Sequence, residues 1–486
     1  MHFLSLPSDI LILFLQRLAV HNLGILSRTC RLLNILVRDY GWANYLRNHP
    51  RPSFSLSQAR AHWTPFIQLR YDILADHAWS NADFVARPLS RPWPGKKQPV
   101  LAISSSHLIV GAGNTLYSYK FGDSQHATTP SVLQEGMCSA VRDGTCPYIT
   151  SLAFINDGGL DRTLCVGFDD GTLECIVLSF PSQHDSVTAM AISSRQDISR
   201  THNGDFIESL SSGNDVLLSL SSSGSASLTN LRSSSLIPYS ADLKARSWVS
   251  HLCLDTSGPY AAFGTSSSTP LTVYSVTNDQ FSPTPSAILH SNSTFGQPSN
   301  ARSSTAVYGI SRAPLASPWG SSPQILVAGW YDGQVRCYDL RSSSRMTGSA
   351  GGPAPLRPVL SLSDPWSYEP IYSVSCGGGS ASHIAAGSAR HGVVSFWDVR
   401  APRTGWSVHA PGNDPSPVYS VVLESSRLYG ATQSRPFVYD FGPGVTPDTY
   451  PALPHGRIDG LKRKKGSIGV GFYVTKYDHG RSTNEI

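Results

Sequence analysis

The first hydrophobic pattern lies at the front of the chain, after Leu6-Pro7-Ser8-Asp9. Pro7 pre-sets a helical φ, and Ser8 or Asp9 can cap the first free amides, so a helix is predicted to begin here. Its apolar positions recur at i, i+1, i+4, i+5 and i+8, a face too wide for a solitary surface helix. They are Ile10, Leu11, Phe14, Leu15 and Leu18.

A second dense apolar stretch follows from Asn22 and ends at Gly41-Trp42. It contains Leu23, Ile25, Leu26, Cys30, Leu32, Leu33, Ile35, Leu36 and Val37. A unit of about fifty residues cannot bury all of this surface internally. The pattern therefore predicts a small helical unit that binds another protein.

After residue 99 the pattern changes to a repeat, in which a V/I-x-x-V/I/L pair opens each copy. The seven pairs are Val100/Ile103, Ile149/Leu152, Ile207/Leu210, Val249/Leu252, Val307/Ile310, Ile371/Val374 and Val418/Val421. Each pair precedes two further predicted strands, joined by turns such as Asp170-Gly171 and Asp332-Gly333. Seven copies predict a closed ring of sheets, which leaves no long exposed edge.

The connector, residues 50–99, has helical spacing over Ser57 to Ala78 and becomes extended and proline-rich from Asp83 to Arg91. We expect the outer strand of the last sheet to come from roughly residues 82–90 or from the tail segment 469–475; the sequence leaves both open. Segments 181–205, 280–305 and 342–358 lose apolar periodicity and are rich in Ser, Pro, Gly and Asn, so they are predicted to be flexible insertions.

The amino-acid composition narrows the classes of protein to which this chain can belong. Charged residues make up 15% of the 486, and the net charge of +5 implies no nucleic-acid role. Eight cysteines without CxxC spacing indicate a reducing compartment, with no disulfide framework or zinc site. No stretch of eighteen apolar residues predicts a membrane span. No catalytic or phosphate-binding fingerprint occurs, so we expect a non-enzymatic chain without cofactor or metal.

The N-terminal unit resembles an F-box over residues 4–47. The resemblance rests on Leu6-Pro7, on the face formed by the first helix, on Leu26-Ser27 with Cys30, and on Asp39-x-x-Trp42, although Leu32-Leu33 replace the aromatic found in many members. It implies docking to a Skp-type adaptor, and through it to a cullin and a RING subunit. The residues implied to bind the adaptor are Leu6, Pro7, Ile10, Leu11, Phe14, Leu26, Ser27, Cys30 and Trp42.

The repeats resemble WD repeats, with Trp397-Asp398 as the full dipeptide and Tyr338-Asp339 and Tyr439-Asp440 as near matches. The fold expected from both resemblances is mainly β, with an N-terminal helical F-box followed by a seven-bladed WD-repeat β-propeller. The expected boundaries are an F-box at 1–48, a helical and extended connector at 49–99, the propeller at 100–445 and a C-terminal tail at 446–486.

The combination resembles the F-box/WD-repeat substrate receptors of Skp–cullin–F-box ubiquitin ligases. It implies a subunit that performs no bond chemistry and holds the protein to be ubiquitinated. Two alternatives stay open. Tyr338-Asp-Leu-Arg341 and Trp397-Asp-Val-Arg400 also match the WD-x-R pattern of receptors for cullin-4 ligases, in which the Arg can be purely structural. The second alternative is a Skp-bound scaffold that organises a complex without ubiquitinating a substrate.

A substrate site is expected where the residue after the first apolar position of each inner strand meets the neighbouring turns. This rule collects Tyr308, Trp330, Tyr331, Tyr372, Arg390, His391, Tyr419 and Arg435. Aromatic and basic side chains suit a peptide degron with acidic or phosphorylated residues; alternatively, the tyrosines only fill the central channel. We expect a cytoplasmic or nuclear protein, and the basic run Lys462–Lys465 is either an import signal or a solvated tail.

Overall fold

The computed structural model describes residues 6–124, 126–141, 146–181, 189–198, 202, 204–232, 239–291, 305–342, 355–453 and 470–480. The basic run Lys462–Lys465 lies outside these residues. Within them, no helix is both long enough and apolar enough to cross a membrane.

The N-terminal unit consists of short helices around one apolar core. The helices are α1 Ser8–Leu15, α2 Val20–Leu26, α3 Arg31–Leu36 and α4 Trp42–Asn48, with a π-helical turn at Val37–Gly41. The buried core side chains are Leu11, Leu15, Leu23, Leu33, Leu36, Val37, Trp42 and Leu69. Pro7 directly precedes α1, but no side chain caps that helix; the predicted cap at Ser8 or Asp9 is wrong, because both residues are already in the first turn.

The connector folds into two helices where one continuous helical stretch was predicted, α5 Ser57–His62 and α6 Pro65–Ser80. The break falls at Thr64, which precedes a proline and therefore avoids the helical conformation. The Thr64 hydroxyl then accepts the Ile67 amide at 3.3 Å and caps α6. Near the end of α6, the Trp79 ring stacks on Phe441 with centroids 3.6 Å apart, so α6 joins the helical unit to the sheets.

Among the described residues the strands form six hydrogen-bonded antiparallel sheets. The nine-stranded one divides into two groups linked by a two-residue pairing, which gives seven groups of four or five strands, sheets 1 to 7. After β1 Val85–Pro88 come sheet 1, β2 Val100–Ile103, β3 His107–Ala112, β4 Thr115–Phe121 and β5 Val132–Ser139; sheet 2, β6 Ile149–Phe154, β7 Thr163–Phe168, β8 Leu173–Ser179 and β9 Ala191–Asp197; and sheet 3, β10 Ile207–Gly213, β11 Val216–Ser221, β12 Ser225–Asn230 and β13 Tyr239–Asp242. Sheet 4 contains β14 Arg246–Cys253, β15 Tyr260–Ser267, β16 Leu271–Thr277 and β18 Ala287–Leu289, with the short β17 Gln280–Phe281 on the edge of β16.

Sheet 5 contains β19 Thr305–Arg312, β20 Ile325–Trp330, β21 Gln334–Asp339 and β22 Leu360–Ser363; sheet 6 contains β23 Ile371–Gly377, β24 His383–Ser388, β25 Val393–Asp398 and β26 Gly405–His409; and sheet 7 contains β27 Val418–Leu423, β28 Arg427–Thr432, β29 Pro436–Asp440 and the earlier strand β1. Sheets 4 and 5 are also linked by a two-residue pairing of β15 with β19. A last strand, β30 Lys476–Asp478, pairs with β26.

The first strands of successive sheets contact one another around a closed path, β2 to β6, β10, β14, β19, β23, β27 and back to β2. Each of the seven predicted apolar pairs lies on one of these inner strands. Buried apolar clusters fill the spaces between neighbouring sheets; one of them contains Leu326 and Ala328 of sheet 5 with Ala262 and Val273 of sheet 4. The predicted mainly β class with N-terminal helices is confirmed.

The connector supplies the outer strand of sheet 7, because β1 pairs with β29 in the register Val85↔Asp440 to Pro88↔Phe437. The tail takes a different place. The Phe472 amide donates to the Ala86 carbonyl at 2.9 Å, on the far side of β1 from β29, and β30 then extends sheet 6. The connector and the tail therefore lie next to each other at sheets 6 and 7.

Two of the predicted insertions contain regular strands in their described parts. Strand β9 lies within 181–205, and β17 and β18 lie within 280–305. The polar composition of β9 hid this strand, whose side chains are exposed apart from two half-buried ones at the edge of sheet 2. An edge strand needs little apolar surface, which explains the missed prediction.

Candidate functional site

The N-terminal helices expose a large set of apolar side chains on their outer surface. Leu13, Phe14 and Ile25 expose 57%, 51% and 51% of their surface. The remaining exposed members are Ile10, Leu32, Ile35 and Tyr40. Exposed apolar surface of this density is typical of a protein-binding face.

Four of the predicted adaptor-binding residues lie differently from the expectation of a surface role. Leu11 is only 2% exposed and Trp42 is buried beside it in the helical core, so both stabilise the unit and neither belongs to its outer face. Leu26 and Cys30 are half-buried and pack against the same core. The expectation that Leu11 and Trp42 lie on the exposed adaptor-binding face is therefore corrected, because the Leu11 side chain and the Trp42 ring both point into the core.

The other predicted positions remain accessible to different degrees. Pro7, Ile10 and Phe14 are exposed, while Leu6 is half-buried against the core. The Ser27 hydroxyl donates to the Gly24 carbonyl at 2.8 Å at the end of α2, so its visible role is local. The predicted set missed Leu13, Ile25, Leu32, Ile35 and Tyr40, all exposed.

A second candidate site arises from a repeated irregularity of the inner strands. In six of the seven, one residue near the start bulges out of the pairing with the next strand. A β-bulge redirects the side chain of the unpaired residue. The six bulged residues are Thr150, Glu208, Trp248, Tyr308, Tyr372 and Tyr419, and all six line a single cavity of about 520 Å³.

The four aromatic residues at the bulges contact one another in order around the ring. The centroid distances are 4.9 Å for Trp248–Tyr308, 5.3 Å for Tyr308–Tyr372 and 5.8 Å for Tyr372–Tyr419. The first two pairs are edge-to-face, an arrangement that aromatic pairs favour. Four rings on four successive strands thus form a continuous aromatic wall.

Four charged residues also line the cavity, namely Lys96, Lys97, Asp169 and Glu208. Lys96 and Lys97 come from the connector just before β2; the structure describes no ion pair for either of them, and the Lys97 ammonium lies 5.4 Å from the Tyr148 ring centroid. The Asp169 carboxylate accepts the Tyr148 amide at 2.8 Å. The two lysines are therefore the cationic groups with which this cavity can meet a ligand.

The remaining carboxylate, Glu208, is largely engaged within the chain. Burial raises its pKa to about 7, although an ion pair with Arg246 at 3.0 Å opposes that rise. The Arg246 guanidinium also lies 4.1 Å from the Trp248 ring centroid. Glu208, Arg246 and Trp248 thus form one connected unit at the cavity wall, so Glu208 does not offset the two lysines.

Only part of the predicted substrate patch converges on this cavity. Tyr308, Tyr372 and Tyr419 do; Tyr331 contacts Tyr308 at 6.4 Å from outside the lining. Arg390 is exposed and lies 3.7 Å from Glu369, outside the cavity.

Three further predicted residues are corrected or lie elsewhere. Trp330, the last residue of β20, is fully buried in the core between sheets 4 and 5, and Arg435, in the turn before β29, is also buried. His391 lies in the turn between β24 and β25, where its amide donates to the Pro415 carbonyl at 2.9 Å. Sequence reasoning missed Trp248, Lys96 and Lys97.

Both WD-x-R arginines are engaged by the aspartate of their own motif. Arg341 pairs with Asp339 at 2.8 Å and Arg400 with Asp398 at 2.6 Å. Arg400 and Asp398 also line a second cavity, of about 640 Å³, between the helical unit and sheets 5 and 6. Among the described residues, no cluster of three or more His, Cys, Asp or Glu side chains could hold a metal ion.

Comparison with known proteins identifies the helical unit, since residues 3–41 match the F-box domain family. The chain carries an F-box domain. F-box domains bind Skp-type adaptors within cullin complexes, and F-box proteins are generally non-catalytic adaptor subunits. The exposed apolar face of α1, α2 and α3 therefore belongs to a recognised protein-binding domain.

Similar solved structures include Sqt1 of Chaetomium thermophilum bound to the N-terminus of ribosomal protein L10, with 14% identity, a TM-score of 0.47, and coverage of 69% of this chain and 81% of that chain. The computationally designed Ika8 protein has 14% identity and a TM-score of 0.43, with coverage of 73% and 99%. No curated protein matches this chain.

The connector that follows the F-box domain is held to the sheets by a buried carboxylate. Glu424, at the end of β27, accepts the Ser55 amide at 3.1 Å, and the Ser53 hydroxyl donates to it at 3.2 Å. Trp79 adds a hydrogen bond from its indole to the Ser425 carbonyl at 2.9 Å. These contacts place the F-box domain in a defined position on sheets 6 and 7.

Proposed function

We propose that this chain is the substrate-recognition subunit of a Skp–cullin–F-box E3 ubiquitin ligase. The observation that carries the proposal is the exposed apolar face of the F-box domain, with Leu13, Phe14 and Ile25 about half exposed. Such a surface gains stability when a partner covers it, because each buried leucine or phenylalanine contributes about 1.5–3 kcal/mol. The partner is a Skp-type adaptor, which brings a cullin and a RING subunit.

The seven sheets are the blades of a WD-repeat β-propeller. Support comes from the closed path of contacts between their inner strands and from the pairing of β1 with β29, by which an early strand completes the last sheet. Joining both chain regions in one sheet resists opening of the ring between sheets 7 and 1, because β1 is linked by the chain to β2 and pairs with β29. In this proposal the domain boundaries are those expected from the sequence, with the propeller at residues 100–445 and its closing strand in the connector.

The bulged residues form the substrate-binding site of the propeller. Bulges at equivalent positions turn six side chains into one cavity, and four aromatic rings supply apolar area at low entropic cost. Lys96 and Lys97 add positive charge at the same cavity. The ligand is a peptide degron with acidic or phosphorylated residues next to an apolar side chain.

This placement moves the charge recognition away from the arginines that the sequence suggested. Arg390 lies beside Glu369 outside the cavity, and Arg435 is buried. The lysines come from the connector, which also carries β1. One segment then both completes the last blade and contributes to substrate binding.

The function of the chain is to hold substrate near a ubiquitin-charged enzyme, and it performs no bond chemistry itself. The contacts of Glu424 and Trp79 fix the F-box domain on the propeller, so the distance from adaptor to cavity is set by the fold. A defined distance raises the effective concentration of substrate lysines at the transfer site. The protein works in the cytoplasm, the nucleus or both.

The test is affinity purification of the full chain after proteasome inhibition, read by mass spectrometry. Leu13→Asp with Phe14→Asp should remove Skp, cullin and RING subunits but keep substrates. Trp248→Ala with Tyr372→Ala should do the reverse. Tyr368→Ala, at an 82% exposed tyrosine outside both sites, is the control and should change neither set.

Two outcomes would replace this proposal. Recovery of a cullin-4 adaptor in place of Skp would favour the WD-x-R alternative, against the observation that Arg341 and Arg400 pair with their own aspartates. Recovery of Skp without cullin would favour a Skp-bound scaffold. Persistence of Skp in the Leu13/Phe14 variant would refute the assigned docking face.

A further inference from the structure

Two cysteines of sheet 2 lie directly opposite each other on adjacent strands. Cys165 of β7 pairs with Cys175 of β8 in the antiparallel register. Directly opposed residues point to the same face of a sheet. Both thiols accordingly belong to the apolar cluster between sheets 2 and 3, Cys165 fully buried and Cys175 half-buried.

The backbone hydrogen bonds identify which type of pair this is. On one side the Leu178 amide donates to the Arg162 carbonyl at 2.9 Å, and on the other the Phe168 amide donates to the Thr172 carbonyl at 3.0 Å. Hydrogen-bonded and non-hydrogen-bonded pairs alternate along an antiparallel ladder. The register places residue 162 opposite 178 and residue 168 opposite 172, and both of these pairs are hydrogen-bonded. Cys165 and Cys175 lie three steps along the ladder from each, so they are a non-hydrogen-bonded pair.

That type of pair brings Cα atoms to about 4.5 Å and side chains closest together. A disulfide requires Cα atoms about 4.4–6.8 Å apart, so the backbone already meets the requirement. The proximity of the two thiols also raises the pKa of Cys165 and lowers that of Cys175. The distance therefore suits a bond without rearrangement of either strand.

We propose that Cys165 and Cys175 are a redox modification site, converted to a cross-strand disulfide by hydrogen peroxide. The Cys175 thiolate attacks one peroxide oxygen, the O–O bond breaks, and water leaves after protonation; Cys175 becomes a sulfenic acid. The Cys165 sulfur then attacks that sulfur, the S–O bond breaks, and a second water carries away the Cys165 proton. Two thiols lose two hydrogens while peroxide is reduced to two waters.

The environment assigns these two roles. The hydrogen bond from Cys165 lowers the pKa of the Cys175 thiol, although burial opposes this, whereas that hydrogen bond and burial raise the pKa of Cys165. Cys175 is also the more accessible sulfur. The turn of the same hairpin carries Asp169 into the substrate cavity, so a bond between the strands also restrains one wall of that cavity.

The experiment treats the purified full chain with hydrogen peroxide, alkylates the remaining thiols and maps the cysteines by mass spectrometry. Trypsin leaves both residues in one peptide, 163–195, which should lose two hydrogens and resist alkylation. Cleavage after Glu174 separates the two cysteines, so the peptides should stay joined until a reductant is added. Alkylation of both Cys165 and Cys175 after treatment would overturn the proposal.

Variants distinguish the roles of the two thiols. Cys165→Ser should leave a sulfenic acid on Cys175 that dimedone captures, and Cys175→Ser should abolish peroxide reaction at Cys165. Cys138→Ser removes a half-buried thiol of sheet 1 and should leave the disulfide unchanged. Because the mapping works on the unmodified chain, poor folding of a variant does not rescue the proposal from a negative result.

Discussion

The carboxylate of Glu424 accepts a hydrogen bond from the backbone amide of Ser55 at 3.1 Å, although the two residues are 369 positions apart in the sequence. A second hydrogen bond to the carboxylate comes from the Ser55 hydroxyl, and both residues are buried. Buried acceptors and donors that match each other stabilise a contact mainly because removing one leaves the other unsatisfied. This contact fixes the start of the connector on sheet 7.

Glu424→Gln should loosen that connection, because the new amide NH₂ faces backbone donors. We expect a loss of about 1–3 kcal/mol in the free energy of unfolding and faster proteolysis between α4 and α5. Glu369→Gln, which alters a carboxylate near the exposed Arg390, is the control. Equal proteolysis rates for the two variants would show that Glu424 does not hold the connector.

The closing strand can be tested by comparing a chain that begins at residue 82 with one that begins at residue 92. Both lack the F-box domain and α6, so they differ mainly by β1 and its pairing with β29. The shorter chain should unfold at a distinctly lower Tm, or fail to fold. The same Tm for both chains would contradict closure by β1.

The tail is held by a carboxylate that titrates at low pH. Burial opposes ionisation of Asp364, but hydrogen bonds from His479, Ser407, the Trp366 amide and Tyr477 lower its pKa to about 2. A depressed pKa stabilises the fold above the ordinary carboxyl value of about 4, and this stabilisation is lost as pH falls toward the folded value. Stability from tail docking should therefore decline below pH 4.

The measurement is the Tm difference between the wild-type chain and Asp364→Asn across this range. The difference should be largest near neutral pH and should shrink as pH falls from about 4 to about 2. Asp242→Asn, at an exposed position on β13, should show no comparable trend. A constant difference would mean that Asp364 does not stay ionised in the folded chain.

The degron prediction concerns Lys96 and Lys97. Lys96→Glu with Lys97→Glu should weaken capture of an acidic substrate by tenfold or more, since a lost charge-assisted bond costs about 1.5–3 kcal/mol. Arg390→Glu is the matched charge reversal outside the cavity and should leave capture unchanged. The opposite pattern would return the site to the surface around Arg390.

Sequence periodicity predicted the inner strands and three of the four aromatic residues at the bulges. It missed Trp248 because the inner strand of sheet 4 was read from Val249/Leu252, which places Ser250 at the bulge. The structure puts the bulge at Trp248, between Ser247 and Val249. A small buried polar residue, Ser247, stands where other sheets have Ile or Val, so the apolar pattern shifted by two residues.

The faces of the F-box helices were harder to predict for a different reason. The apolar residues of α1 cover more than half of its circumference, so the pattern alone cannot separate Leu11, which is buried, from Phe14, which is exposed. Long-range contacts decide this, including that of the helical core with Leu69 of the connector. Pairing of the tail with β26 is likewise a contact between distant segments that local sequence does not encode.

The central claim is that the F-box face binds a Skp-type adaptor directly, and calorimetric titration of the purified chain with purified adaptor tests it. Leu13→Asp with Phe14→Asp should raise the Kd for the adaptor at least about 100-fold, since each buried apolar side chain contributes about 1.5–3 kcal/mol to binding. Leu133→Asp, at a similarly exposed leucine on β5, should leave the Kd unchanged. Equal affinity of the Leu13/Phe14 variant and the wild-type chain would contradict the account.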